Sequence, residues 1–210
     1  SQRIAANKHV LNRFKIDGVI ETGVKPWDWI RSNLLPLLPV SVLQGPDGVY
    51  FVAWRYDATA ADAVAHVDAG ADGEIEIAET VNYDTSQVLN DFTLKYALSL
   101  RTGNFLGTAR LGAAYDAAQP GAGVSYHCEV SQRRHEDPDV GPGSGVFSES
   151  IESAVVYDDA TANAVLAWRA LAFAFARRTI EAMVPEESWA WLERGNVLTL
   201  TVPWLYLDRQ

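Results

Sequence analysis

Val40-Ser41-Val42-Leu43, Gln44-Gly45-Pro46-Asp47-Gly48 and Val49-Tyr50-Phe51-Val52-Ala53-Trp54 follow one another without a break, two β-favouring runs around a turn. β-Branched and aromatic residues suit a pleated, half-buried surface, and Pro-Asp-Gly supplies the chemistry of a tight reversal, so a β-hairpin is expected. Upstream, Val24-Lys25-Pro26-Trp27-Asp28-Trp29-Ile30 opens a helix. Pro26 sits where a missing N–H costs nothing, and Asp28 places negative charge at the positive end of the helix. Trp27, Ile30, Leu34 and Leu38 recur at helical spacing, which predicts a core stripe that includes Trp27. Pro36 removes a donor and Pro39 follows, so the helix is expected to end near Leu35. Helix followed by hairpin makes a small α/β unit.

Working outward, residues 57–73 are rich in Ala, Asp and Gly and hold few large apolar groups, the mark of a boundary. Glu74-Ile75-Glu76-Ile77 and Phe92-Thr93-Leu94-Lys95-Tyr96-Ala97-Leu98 read as strands, the second alternating apolar and polar residues. Residues 81–89 are ambiguous between the two, and Asn90-Asp91 read as loop residues leading into the second. Residues 111–123 and 133–145 read as loops, with Val124-Ser125-Tyr126-His127-Cys128-Glu129-Val130 as a strand between them. Asp158 and Asp159 are N-cap candidates for a helix carrying the stripe Val165, Trp168, Leu171, Ala172 and Phe175 and closing at Arg177-Arg178. Beyond Pro185, Val197-Leu198-Thr199-Leu200-Thr201-Val202 is a last strand, closed by Pro203. The fold class is α+β.

Seventeen Lys and Arg against twenty-seven Asp and Glu leave a net charge of −10 over 210 residues, which argues against a surface that grips nucleic-acid phosphates. Forty-eight per cent apolar residues with 21 per cent charged is globular composition. Cys128 is the only cysteine, so no internal disulfide forms. No apolar run approaches the roughly 18 residues of a membrane-spanning helix, and residues 1–14 lack the apolar core of a signal peptide. The sole methionine is Met183, and a strand-like stretch has barely ended at Gln210, so the chain is expected to be a fragment of a longer polypeptide.

His127, Cys128, Glu129 and His135 with Glu136, Asp137 and Asp139 contain the residue types of a zinc site. Their spacing fits no familiar zinc pattern, and a strand points His127 and Cys128 to opposite faces, so a solvated loop is the expectation and no metal ligand is assigned. Ser144 lies in Gly143-Ser144-Gly145, but Pro142 replaces the glycine of a nucleophile elbow. Gly121-Ala122-Gly123 begins like a dinucleotide fingerprint, yet Tyr126 stands in place of its last glycine and the segment reads into a strand. Glu149, Glu152, Asp158 and Asp159 hold the carboxylates that glycoside cleavage would need, although helix capping accounts for the two aspartates. His9 and His66 are isolated imidazoles. No catalytic residue and no cofactor is assigned. Of seven tryptophans, Trp27, Trp54 and Trp168 are expected in the core, whereas Trp189, Trp191 and Trp204 cluster as interface candidates, with stacking on sugar as their other use.

The order of the pieces adds a resemblance. Phe14-Lys15-Ile16-Asp17-Gly18, the Pro26-Trp27 helix start, Leu34-Leu35-Pro36-Leu37-Leu38-Pro39 and the turn before Val49-Tyr50 resemble the small inserted α/β domain of tail-hub proteins of long-tailed bacteriophages and gene transfer agents. Val88-Leu89-Asn90-Asp91-Phe92-Thr93-Leu94-Lys95-Tyr96 resembles a strand of that family's tube-like domain. The helix from Asp158, then Leu192-Glu193-Arg194-Gly195-Asn196-Val197-Leu198-Thr199-Leu200, resembles its closing helix and strand. The resemblance implies a small inserted α/β domain over 1–72, a β-rich domain with long loops over 73–150, and a helix and strand completing a tube-like domain over 151–210. It also implies a non-enzymatic virion protein of the tail tip or baseplate hub, a homotrimer joining tail-tube and distal tail proteins to a fibre or spike. DNA would pass through it during ejection without sequence-specific binding, which an acidic lumen would favour by repelling phosphates. A bacterial injection-device hub shares this architecture. The rival class is a carbohydrate-binding or carbohydrate-cleaving module using Trp and carboxylate side chains.

Overall fold

The computed structural model describes residues 11–18, 23–45, 48–53, 58–68, 76–83, 85–112, 122–141, 143–176, 178–192 and 195–202. Its centre is a three-stranded sheet of β5 (Asp91–Leu98), β6 (Phe105–Leu111) and β7 (Ser148–Glu152), in the order β6-β5-β7. β6 runs antiparallel to β5, and β7 lies parallel to it on the other side. Phe92, Leu94 and Tyr96 alternate along β5 and put their side chains on one face, where Phe92 and Leu94 are completely buried. Helix α3 (Asp159–Phe173) covers that face, burying Val165, Leu166 and Ala162 against it. Helix α2 (Ala122–Arg134) packs on α3 in turn. The mixed α+β architecture follows from one sheet face that is apolar and one that is not.

The described residues also form three two-stranded sheets. Helix α1 (Pro26–Asn33) leads to the antiparallel hairpin β1 (Val40–Gly45) and β2 (Gly48–Ala53), as the sequence implied. β3 (Ala65–Asp68) pairs in parallel with β9 (Leu198–Thr201), and β4 (Glu76–Tyr83) pairs antiparallel with β8 (Arg178–Met183) through two register shifts. Helix α4 (Glu186–Trp189) is a single turn.

Several expectations are corrected. Residues 124–130 are helix rather than strand. Apolar residues do not alternate there strictly, and a helix lets Cys128 and Ser131, three residues apart, turn into the same buried side. The sparse segment 57–73 includes a 3₁₀ turn at Ala60–Asp62 and the strand β3, so backbone pairing runs from it to residues 198–201. α3 stops at Phe173 instead of reaching Arg178, and Arg178 begins β8, whose pairing with β4 replaces the helical bonds. Leu171 leaves the expected stripe, being 40% exposed, and Leu166 takes its place in the core. Trp27 is 43% exposed, and its neighbour Trp29 is the α1 indole that packs against the core. Trp168 is buried, as expected, and Trp54 lies outside the described residues. β6 and β7 were not foreseen at all.

Candidate functional site

Among the described residues the most connected buried polar side chain is Asn90, which sequence reading placed in a loop and which is fully buried. Its Nδ2 donates to Ser131 Oγ at 3.1 Å and to the Gly145 carbonyl at 2.9 Å, while Oδ1 accepts from the Phe147 N–H at 2.8 Å. Gln132 Nε2 donates to the Asn90 carbonyl at 2.8 Å, and Ser131 Oγ donates to the Ala174 carbonyl. One amide thus ties α2, the end of α3 and the entry to β7 to the start of β5. Every group of this side chain has a partner, so it joins elements and presents nothing to a ligand. Gly145 permits the approach: a Cβ there would stand 2.1 Å from the Gln132 carbonyl oxygen.

The histidine–cysteine–acid constellation is dispersed by the helix. Cys128 is fully buried, and burial, with the Asp91 charge second, pushes its thiol up to about 12, far from a nucleophilic thiolate. His127 meets the Phe175 ring edge-on at 4.6 Å, and partial burial lowers its pKa. His135 Nδ1 lies 2.8 Å from the Ser131 carbonyl, and Glu129 pairs with Arg133 one turn on. Asp137 and Ser144 close a loop, with the Asp137 N–H donating to Ser144 Oγ at 2.8 Å and the Asp139 N–H to Asp137 Oδ1 at 2.9 Å. Among the described residues no three His, Cys, Asp or Glu side chains converge as metal ligands would. A cavity of about 200 Å³ between α2 and this loop is lined by Glu129, Gln132, Arg133, Glu136 and Val146. Ala122 and Gly123 stand in the first turn of α2, so the strand expected after them is replaced by helix, with Tyr126 still in place of the last fingerprint glycine, and Gly121 lies outside the described residues.

The four carboxylates serve different partners. Glu149 and Glu152 are three residues apart on β7 and therefore project from opposite faces of the sheet. Glu149 receives Arg169 Nε at 2.8 Å and Nη2 at 2.5 Å, and Glu152 pairs with Lys95 at 2.8 Å. Asp158 is the N-cap of α3, accepting from the Thr161 N–H at 2.8 Å and the Thr161 hydroxyl at 2.9 Å, and these bonds hold its carboxyl below the usual range. Asp159 accepts from the Tyr96 hydroxyl at 2.5 Å, which raises the phenol's pKa, with desolvation adding to the shift.

Of the three interface candidates, Trp189 and Trp191 are brought together, their rings stacked with centroids 6.1 Å apart and planes 22° from parallel. Trp189 packs on the small core of Val67 and Val202, while Trp191 is 52% exposed. Trp204 lies outside the described residues. The second candidate surface is the uncovered face of the central sheet. Leu106, Thr108 and Arg110 of β6, Thr93 and Lys95 of β5, and Ser150 and Glu152 of β7 share it, and Leu106 is 75% exposed. Its charges are matched: Lys95 faces Glu152, and Arg110 reaches Asp91 at 3.4 Å.

No described helix is long and apolar enough to cross a membrane. Comparison with known proteins adds no name to this geometry: no family model, no curated protein and no solved structure matches the chain.

Proposed function

We propose that this chain is a structural component of a bacteriophage tail tip or baseplate hub, or of the equivalent part of a gene transfer agent. In that role it forms a homotrimeric joint between tail-tube proteins and a fibre or spike. The observation that carries the reading is the central sheet. One face is sealed by α3, the other is polar and open, and neither β6 nor β7 has a further strand partner among the described residues. A sheet segment open at both edges is the natural unit of a wall closed by neighbouring copies, because closure removes edges that would otherwise template aggregation. The helix–hairpin unit preceding it, and the capped helix and strand following it, stand in the chain order of the tail-hub resemblance.

If the open face lines the lumen, passing DNA meets hydroxyls, neutralised charge pairs and the apolar Leu106, a surface with little attraction for phosphate. The net acidity of the chain then resides elsewhere on its surface. The test is multi-angle light scattering on the full-length protein: a threefold mass is expected, and a monomer at all concentrations would overturn the proposal.

A second reading rests on the stacked Trp189–Trp191 pair, which suits a carbohydrate-binding surface. The opposed directions of Glu149 and Glu152 give it binding rather than cleavage through that pair. Saturable quenching of tryptophan fluorescence by an oligosaccharide, with no self-association, would favour it.

A further inference from the structure

Among the described residues the three most exposed large apolar side chains are Leu100, Leu106 and Val140, at 85%, 75% and 74%. Single apolar side chains are ordinary on a surface, but these stand at the two ends of the central sheet, and each end adds charge of one sign. Leu100 lies in the turn that joins β5 to β6, and Leu106 is the second residue of β6, so both sit where β5 ends. The turn is closed by backbone bonds, the Ser99 N–H donating to the Asn104 carbonyl at 2.9 Å and the Gly103 N–H to the Ser99 carbonyl at 2.8 Å. Residues 92–111 contain Lys95, Arg101 and Arg110 and no acid, within a chain of net charge −10. Lys95 is spent on Glu152 and Arg110 on Asp91, whereas the exposed Arg101 makes no ion pair among the described residues.

The other end has the opposite chemistry. Val140 belongs to the loop that follows α2, and the Asn90 amide fixes that loop to the start of β5 through the Gly145 carbonyl. The Val140 and Gly141 N–H groups donate to the Asp137 carbonyl at 3.1 and 2.9 Å, which holds the loop in one shape. Residues 136–140 contain three acids and no base, and the exposed Glu136 and Asp139 make no ion pair among the described residues. The eight residues of β5 keep its two ends about 23 Å apart, so the two patches of one chain do not meet.

We infer that they meet between copies: the β5–β6 turn of one chain docks on the 136–140 loop of the next, Leu100 and Leu106 against Val140, and Arg101 against Glu136 and Asp139. Two unlike patches at opposite ends of one sheet make a head-to-tail contact, which a ring of any number of copies can repeat. A nucleic acid is the weaker match for the turn, because one unpaired arginine beside two leucines offers a single phosphate contact and an apolar surface. The inference rests on the reading that copies of this chain assemble, and names the surfaces through which they do so.

Sedimentation velocity on the full-length protein tests it. Arg101→Glu on the turn, and Glu136→Arg with Asp139→Arg on the loop, are each expected to weaken self-association at least about tenfold, as attraction becomes repulsion of like charges. Leu100→Ser should weaken it as well, through the apolar half of the contact. All four positions are exposed, so circular dichroism should be unchanged. The three charge reversals combined in one chain should restore assembly, because turn and loop are again opposite in sign, a rescue that a turn-to-turn or loop-to-loop contact would not give. Single-surface variants that assemble as tightly as the unaltered protein, or a combined variant that does not recover, would overturn this contact and leave assembly through another surface standing. A monomeric unaltered protein would overturn both. Retardation of a DNA duplex that Arg101→Glu abolishes would assign the turn to nucleic acid instead.

Discussion

The central sheet and the hairpin both draw on Phe, Leu and Tyr, yet they meet different fates. In β5, Phe92 and Leu94 reach zero exposure because the capped helix α3 lies across them. In β2, Val49 and Phe51 alternate along a strand in the same way, but no described helix covers them and they are 58% and 43% exposed. The difference is one of cover rather than of strand propensity. A two-stranded ribbon without a covering layer is marginal by itself. The contrast assigns more of the stability to the body than to the hairpin.

The largest effect that would break this contrast comes from exchanging the two phenylalanines. Phe92→Ala is expected to cost about 3–5 kcal/mol in urea unfolding, as a large buried side chain leaves a cavity. Phe51→Ser should cost much less, about 1 kcal/mol, because the residue is already 43% exposed in the folded protein. Equal losses at both sites would mean that the hairpin is as well covered as the sheet.

Next comes the polar junction of the body. Asn90→Ala leaves the Phe147 N–H without its side-chain acceptor and removes the bridge to Ser131 and Gly145. A loss of roughly 2–3 kcal/mol is expected in the same assay. Asn90→Asp keeps the acceptor but loses the two donors, so it should not restore stability.

A third test addresses how tightly β6 is held. A Cβ on Gly107 would stand 2.5 Å from the Tyr96 ring. Gly107→Ala should therefore cost about 1–3 kcal/mol through overpacking. Gly103, which has open space around it but a positive φ of +71°, should lose about 1 kcal/mol or less as Ala.

The smallest effect is in pH. Burial depresses the pKa of His127 below its ordinary 6.5, so as pH falls through that value the unfolded chain takes up a proton that the folded chain resists. Stability from this group is whole above 6.5 and declines down to the folded pKa. His127→Phe should flatten that part of a Tm-against-pH curve. An unchanged slope would place the acid sensitivity elsewhere.

How much of this was legible in the sequence depends on how local the determining physics was. α1, the hairpin, β5, the Asp158 cap and β9 follow from signals within a few residues: Pro26 at a helix start, Pro46-Asp47-Gly48 between β-formers, strict alternation from Phe92 to Tyr96. The failures needed distant partners. β6 and β7 carry Gly107, Arg110 and Glu149, residues that lower strand propensity, and they are strands because β5 lies between them. Arg178 left the helix because β4 offered backbone bonds some 100 residues away in sequence. Trp27 and Trp29 both sit on α1, and which of them packs against the core is decided by what the helix meets.

The candidate surfaces were less readable still. Of the tryptophan cluster, Trp189 and Trp191 are neighbours in space as well as in sequence. The open sheet face carries no motif, since its residues come from three strands and acquire a common side only when β6 and β7 flank β5. The Asn90 junction had one available signal, an amide immediately before a strand with one buried face, where a loop residue would more often face water.

Mass spectrometry of tailed particles purified from the producing cells tests the proposed structural role most directly. Peptides of this chain are expected in the particle fraction, with tail proteins and in fixed ratio to them. Their confinement to the particle-free supernatant would contradict it.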